Sequence, residues 1–111
     1  MIVLKVYIAG PIGQGDAVKQ NVERGVATAN ELLDLGFYVF APHLFTFLGK
    51  ERDYEFWMEH CFQWLKECTA LLRLPGASPG ADREIEFAIK GGMKIFYSVE
   101  SLVKWRDALA L

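Results

Sequence analysis

The stretch VYIAGPIGQGD occupies residues 6–16. Its first half extends an apolar, β-branched run from Ile2 to Ala9 that only Lys5 interrupts. That is the composition of a strand buried on both faces of a parallel sheet. Gly10-Pro11 ends the strand. From Ala17 the pattern changes: Val18, Val22, Val26, Ala29, Leu32 and Leu33 recur at helical spacing, with Asp16 as the expected N-cap and Gly36 as the expected stop. A buried strand, a glycine-rich turn and an amphipathic helix form the first unit of an α/β chain.

Outward from this unit the alternation continues. Residues 37–41 read as a second strand closed by Pro42, and 42–52 as a long loop without a period. Asp53 is expected to cap a helix running to about Glu67. CTALLRL, residues 68–74, reads as a third strand ended by Pro75-Gly76. A short loop leads to a helix over 81–90, stopped by Gly91-Gly92. A fourth strand over 93–97 and a helix over 98–110 capped by Ser98 complete the chain. Four βα units predict a parallel sheet of about four strands with helices on both faces. Ligands of such sheets bind beyond the carboxyl ends of the strands. That rule brings the loops at 10–16, 42–52 and 75–82 together.

A chain of 111 residues is expected to form one domain over 1–111. At 52% hydrophobic it can build a core without disulfides or metal. Three Trp, eight Phe and four Tyr exceed what so small a core hides, so a homodimer or higher homo-oligomer is expected. A net charge of −2 without any block of Lys or Arg argues against nucleic acid as a partner and leaves a small molecule. Cys61 and Cys68 lie seven residues apart, two turns if on a helix, a span too long for a disulfide. Reduced thiols point to a cytoplasmic protein. MIVLKVYIAG fits a core strand better than a signal peptide, and no run reaches the length of a membrane span.

Gly10, Gly13 and Gly15 form G-x-x-G-x-G, which is neither the dinucleotide fingerprint nor a P-loop. Two readings stay open: a tight turn, or a loop whose backbone N–H groups approach an anion. The second motif is SPGADREIEFAIKGG, residues 78–92. Ala81, Ile85, Ala88 and Ile89 define the core side of its helix. Glu84, one turn before Ala88, borders that side, whereas Glu86 turns towards solvent. A carboxylate bordering the core at a strand-end cleft is a candidate nucleophile or base.

VYIAGP, FAPH (residues 40–43) and SPGADREIEFAIKGGMKIF (residues 78–96) together resemble the nucleoside 2-deoxyribosyltransferase superfamily. That superfamily includes the deoxynucleoside 5′-monophosphate N-glycosidases, and the chain is most similar to its short phage and bacterial members. The resemblance spans roughly residues 3–97 and implies a small flavodoxin-like three-layer α/β sandwich. It implies that Glu84 is the nucleophile that attacks the anomeric carbon and displaces the base. It implies that Tyr7 holds that carboxylate, and that the glycosyl-enzyme passes to water or a second base. Ser78 stands where the monophosphate glycosidases place a serine on the 5′-phosphate. Gly10, Pro11, Ile12, Gly13, Gly15, His43 and Gly80 complete the implied substrate site, with no cofactor. Two departures stand out: Cys61 and Thr69 occupy positions where the family carries aspartate. Glu59 and His60 adjoin Cys61, but neither points where it does. The chain is therefore either an N-glycosidase or deoxyribosyltransferase, or a non-catalytic nucleotide-binding or sensing module.

Other groups carry alternatives. His43, His60 and Cys61 match no metal-ligand spacing, so no metal is expected. Phe45 and Phe47 either stack on a base or belong to an interface. Trp57, Phe62, Trp64 and Leu65 read as packing and dimer surface. His43 pairs with phosphate or caps its loop. Arg73 and Arg83 are candidate phosphate contacts, with solvation the simpler role for Arg83.

Overall fold

The computed structural model describes residues 3–109. Its elements run β1 (Lys5–Ala9), α1 (Ala17–Asp34), β2 (Tyr38–Phe40), a 3-10 helix (Pro42–Leu48), α2 (Tyr54–Leu65), β3 (Ala70–Arg73), α3 (Pro79–Lys90), β4 (Lys94–Phe96) and α4 (Val99–Leu109). The strands form one parallel sheet in the order β2-β1-β3-β4. β1 is central, as its unbroken apolar run requires: Tyr7 pairs with Phe40 on one side and Leu71 on the other. Chain order reverses between β1 and β3, and the crevice beyond their carboxyl ends is the place such a sheet offers a ligand.

The pleat sends alternate residues to opposite faces. Val6, Ile8, Ala70 and Leu72 pack with Ala29 and Leu32 of α1 and Leu102 of α4. Tyr7, Ala9 and Leu71 pack with Cys61 and Leu65 of α2 and Ala81 and Ala88 of α3. The result is a flavodoxin-like three-layer sandwich: α1 and α4, the sheet, then α2 and α3.

Several boundaries differ from the sequence expectation. β2, β3 and β4 are shorter than expected by one or more residues at each end, β1 begins only at Lys5 but ends at Ala9 as expected, and Ile2 and Ala110 lie outside the described residues. Residues 42–48 are a 3-10 helix rather than loop. Its three-residue turn is too short-lived to leave a legible period. α3 starts two residues early, at Pro79, because Ser78 is its N-cap: Oγ accepts from the Ala81 N–H at 3.1 Å. Asp16 and Asp53 precede their helices but make no side-chain cap bond. Ser98 does cap α4, accepting from the Ser101 N–H at 3.1 Å. Gly36 follows α1 with φ +93°, a left-handed stop.

Candidate active site

α3 presents Ala81, Glu84 and Ala88 to the sheet, three buried residues along one stripe. Glu84 is thus only 6% exposed, although flanked by the solvent-facing Asp82 and Glu86. The Tyr7 hydroxyl, fully buried on β1, donates to Glu84 Oε2. Cys61 of α2, 4% exposed, lies beside the same phenol.

Burial sets the protonation of all three. It pushes the Glu84 carboxyl up to about 7, against the opposing pull of the Tyr7 hydroxyl and the Arg73 charge. It drives the Tyr7 phenol far above its ordinary value, with Glu84 and Cys61 adding to the effect. It pushes the Cys61 thiol up to about 11. Near neutral pH the site therefore holds a neutral phenol, a neutral thiol and a carboxyl group close to its midpoint. A carboxylate held by a phenol in a dry environment has the chemistry to act as a nucleophile or base near neutral pH.

Glu84 opens onto a cleft of about 1030 Å³ at the carboxyl edge of the sheet. Gly10, Pro11, Ile12 and Gly13 line it after β1, His43 after β2, and Ser78 and Gly80 after β3. Tyr7 lies beneath it. Gly15 is outside the lining, and its left-handed φ of +63° marks it as a turn residue. The glycines have separate reasons. A Cβ on Gly10 would lie 2.8 Å from Leu74 Cβ, so its absence serves packing between strand ends. Gly13, with φ +76°, lets the loop turn back across the cleft, where Asn21 Nδ2 donates to the Ile12 carbonyl at 3.1 Å. Gly80 leaves room for the Tyr54 hydroxyl and Met58 Sδ, which a Cβ would approach at 3.3 and 3.5 Å.

His43 is 1% exposed and packs against Gly25 of α1, where an added Cβ would stand 2.4 Å from its Cγ. Burial pushes its imidazole below the ordinary histidine value, with the Pro11 carbonyl opposing in part. Among the described residues neither ring nitrogen has a partner of hydrogen-bond geometry. Burial thus favours the neutral ring, and the His43 side chain does not cap its loop. The cap there is Thr46 Oγ1, which donates to the His43 carbonyl at 2.8 Å.

The aromatic wall is mostly committed to itself. Phe45 stacks on Trp57 with ring centroids 5.1 Å apart, and Arg52 lies 5.5 Å from the Trp57 centroid. Phe45 and Trp57 line the cleft, whereas Phe47 is 70% exposed and outside it. Phe62 stacks on Phe87 across α2 and α3, and Trp64 on Phe40. Trp64 is half exposed, and Leu65 is buried. Arg83 bonds Glu55 at 2.8 Å and lies over Tyr54. Arg73 is spent on the Leu74 and Gly76 carbonyls and on Asp82, which leaves neither arginine aimed at a phosphate. Glu59 bonds Gln63, and His60 packs against Phe45 and Trp57. Thr69 accepts from the Lys5 N–H. None of these supplies an acid beside Glu84. Among the described residues no three His, Cys, Asp or Glu side chains converge as metal ligands.

Sequence reasoning left out Tyr54, Met58 and Asn21 from the cleft wall, and Ser78 as a cap. The Ser-Pro pair at 78–79 was the available signal for the cap, since serine favours the N-cap and proline the first helical position. No local signal marks Tyr54 and Met58, which reach the cleft only because α2 packs beside α3.

A 2-deoxyribosyltransferase from the psychrotolerant bacterium Bacillus psychrosaccharolyticus shares the fold, with a TM-score of 0.59. At 20% identity the match covers 82% of this chain and 69% of that one. No curated protein matches the chain significantly. Residues 4–97, which include β1, β3, α3 and the whole cleft, match the family described as Domain of unknown function (DUF4406), and the chain belongs to that family.

Proposed function

We propose that the cleft cleaves the N-glycosidic bond of a nucleoside or nucleoside 5′-monophosphate, with Glu84 as nucleophile. The observation that carries this reading is a buried carboxylate, held by the Tyr7 hydroxyl, facing a cleft large enough for a nucleotide. A Glu84 oxygen attacks the anomeric carbon, and the C–N bond breaks with its electron pair leaving on the base, which takes a proton from water in the cleft. The resulting glycosyl ester is attacked at the same carbon by water or a second base, and Glu84 departs as carboxylate. Tyr7 holds one carboxylate oxygen, which directs the other to the sugar. The fold shared with a 2-deoxyribosyltransferase accords with this chemistry. His43 and the loop from Gly10 to Gly13 form the opposite wall, where the sugar substituents or a 5′-phosphate would rest. Ser78 Oγ, though engaged as a cap acceptor, keeps its proton for donation.

One observation favours a second reading. Cys61 puts a neutral thiol where an acid would assist departure of the base. A cleft without that acid can bind a nucleotide without turning it over. The deciding experiment incubates the protein with ribo- and deoxyribonucleosides and their monophosphates, and follows free base by chromatography. Release abolished by Glu84→Gln supports the enzyme. Saturable binding by calorimetry without release supports the binding module. Neither result leaves both readings without support.

A further inference from the structure

We propose that Arg52 reads the base: its guanidinium donates to a carbonyl oxygen on the ring that leaves. The cleft then takes oxo-bases, such as uracil or hypoxanthine, over amino-bases, such as cytosine or adenine. This rests on the reading of the cleft as one that cleaves an N-glycosidic bond. Arg52 lies in the segment joining the 3-10 helix to α2, and it lines the cleft. Among the described residues, Arg24, Arg73, Arg83 and Arg106 each donate to a carbonyl or a carboxylate. Arg52 is the one arginine among them without such a bond.

Its donors are unspent, yet the group is held. The guanidinium carbon lies 5.5 Å from the Trp57 ring centroid and 5.6 Å from that of Phe56. Trp57 is itself stacked on Phe45. A guanidinium laid on aromatic rings has its plane fixed while its N–H groups stay free at the rim. Such a fork fits a ligand that brings acceptors in that plane.

The spacing along α2 places this fork relative to Glu84. Tyr54, Trp57, Met58 and Cys61 all line the cleft, one stripe of the helix. Cys61 packs with Tyr7, which bonds Glu84. Trp57 stands one turn before Cys61, roughly 6 Å along the axis, and Arg52 rests on Trp57. A planar base with its glycosidic bond at Glu84 therefore has Met58 and Trp57 beside it and its far edge towards Arg52.

A guanidinium only donates. A carbonyl oxygen on the far edge meets it, whereas an exocyclic amino group sets donor against donor, the same rule by which arginine selects guanine over adenine. As the C–N bond breaks, its electron pair passes to the base, and negative charge spreads to that oxygen. A donor already in place there stabilises the charge, and the base then takes its proton from water. Cys61, the group beside Tyr7 and Glu84, is a thiol and only a weak donor. Lys50 and Glu51 also line the cleft, but a lysine is a point charge without a fork and a carboxylate accepts.

The test measures kcat/KM for base release in two pairs: 2′-deoxyuridine with 2′-deoxycytidine, and 2′-deoxyinosine with 2′-deoxyadenosine. Each is supplied as nucleoside and as 5′-monophosphate to wild type, Arg52→Met and Arg52→Lys. Wild type should favour the oxo member of each pair by about tenfold or more. Arg52→Met should lower the oxo members about tenfold and leave the amino members within about twofold, so that the preference disappears. Arg52→Lys, which keeps the charge and loses the fork, should restore only part of it. Arg52 is exposed, and unchanged melting temperatures check that both variants fold. A preference absent from wild type, or one that survives Arg52→Met, overturns the proposal. So does an equal loss on both members, which marks a role in packing the wall, or a loss confined to the monophosphates whatever their base, which marks a phosphate contact. If wild type releases no base, the proposed reaction fails, and calorimetric titration with the same compounds decides the role of Arg52. An oxo preference in binding that Arg52→Met removes upholds it; binding without preference, or no binding, overturns it.

Discussion

The two faces of the sheet are built from the same strands but carry different loads. Towards α1 and α4, alternate residues Val6, Ile8, Ala70 and Leu72 pack into a cluster of apolar side chains. Towards α2 and α3, the intervening residues include Tyr7, and the layer they meet includes Cys61 and Glu84. On the first face burial only stabilises. On the second it also raises the Glu84 carboxyl from 4.5 to about 7, so the ionised form that the proposed chemistry needs is the form the fold disfavours. One side of the molecule supplies stability that the other side spends.

The largest effect expected from this contrast is at Glu84. Glu84→Gln keeps the shape and an acceptor for Tyr7 but removes the proposed nucleophile, and base release should fall at least about a thousandfold. Stability should move the other way, with a definite sign. Because the folded carboxyl titrates higher than the unfolded one, its favourable contribution is complete below about pH 4.5 and is lost as pH rises to about 7. Glu84→Gln should therefore stabilise the protein by up to about 3 kcal/mol above pH 7 and by little at about pH 4. Denaturant melts at both pH values check this. A destabilised Glu84→Gln at high pH would mean that the carboxylate is well accommodated and that the two faces do not differ.

Leu72, 1% exposed on the apolar face, supplies the next effect. Leu72→Ala should cost about 2–5 kcal/mol by equilibrium unfolding, because the cavity it leaves cannot fully close. The pH midpoint of Glu84 should stay in place, since Leu72 points away from it. Tyr7→Phe, on the opposite face of the neighbouring strand, should do the reverse. It should change stability little and raise the Glu84 midpoint, because the lost hydroxyl is the larger of the two influences that favour the carboxylate. With that support gone, base release should drop about tenfold to a hundredfold at about pH 7.

The apolar face was the more legible of the two. Its strand residues belong to largely apolar runs, and Ala29 and Leu32 fall on the helical repeat, so sequence pattern alone locates them. Periodicity misplaced Leu33, which is 54% exposed, because the stripe is narrower than the run of leucines. Glu84 could be placed beside the core from its position one turn before Ala88. Its contact with Tyr7 joins residues far apart in the chain, so composition and spacing cannot derive it; only resemblance supplied it. Arg73 was invisible as a structural residue because its two shorter bonds are to backbone carbonyls, which carry no side-chain identity. The 3-10 helix was read as loop because its repeat is three residues and lasts little more than two turns.

His43 sits where the two faces meet, and a small change there sharpens the comparison. It lines the cleft, yet its ring packs on Gly25 of α1, the helix of the apolar face. Gly25→Ala gains helix propensity of up to about 1 kcal/mol. It also drives a methyl group to 2.4 Å from an aromatic ring that is itself fully enclosed, so the ring must shift. The net cost should be about 1–2 kcal/mol, within the range for overpacking. If His43 contacts substrate, Gly25→Ala should raise KM while leaving the pH midpoint of base release unchanged, because the ring moves and Glu84 does not. The double variant Gly25→Ala with His43→Ala should recover stability through relief of the clash but not KM. Recovery of both would assign His43 to packing and confine the chemistry to the face that holds Tyr7, Cys61 and Glu84.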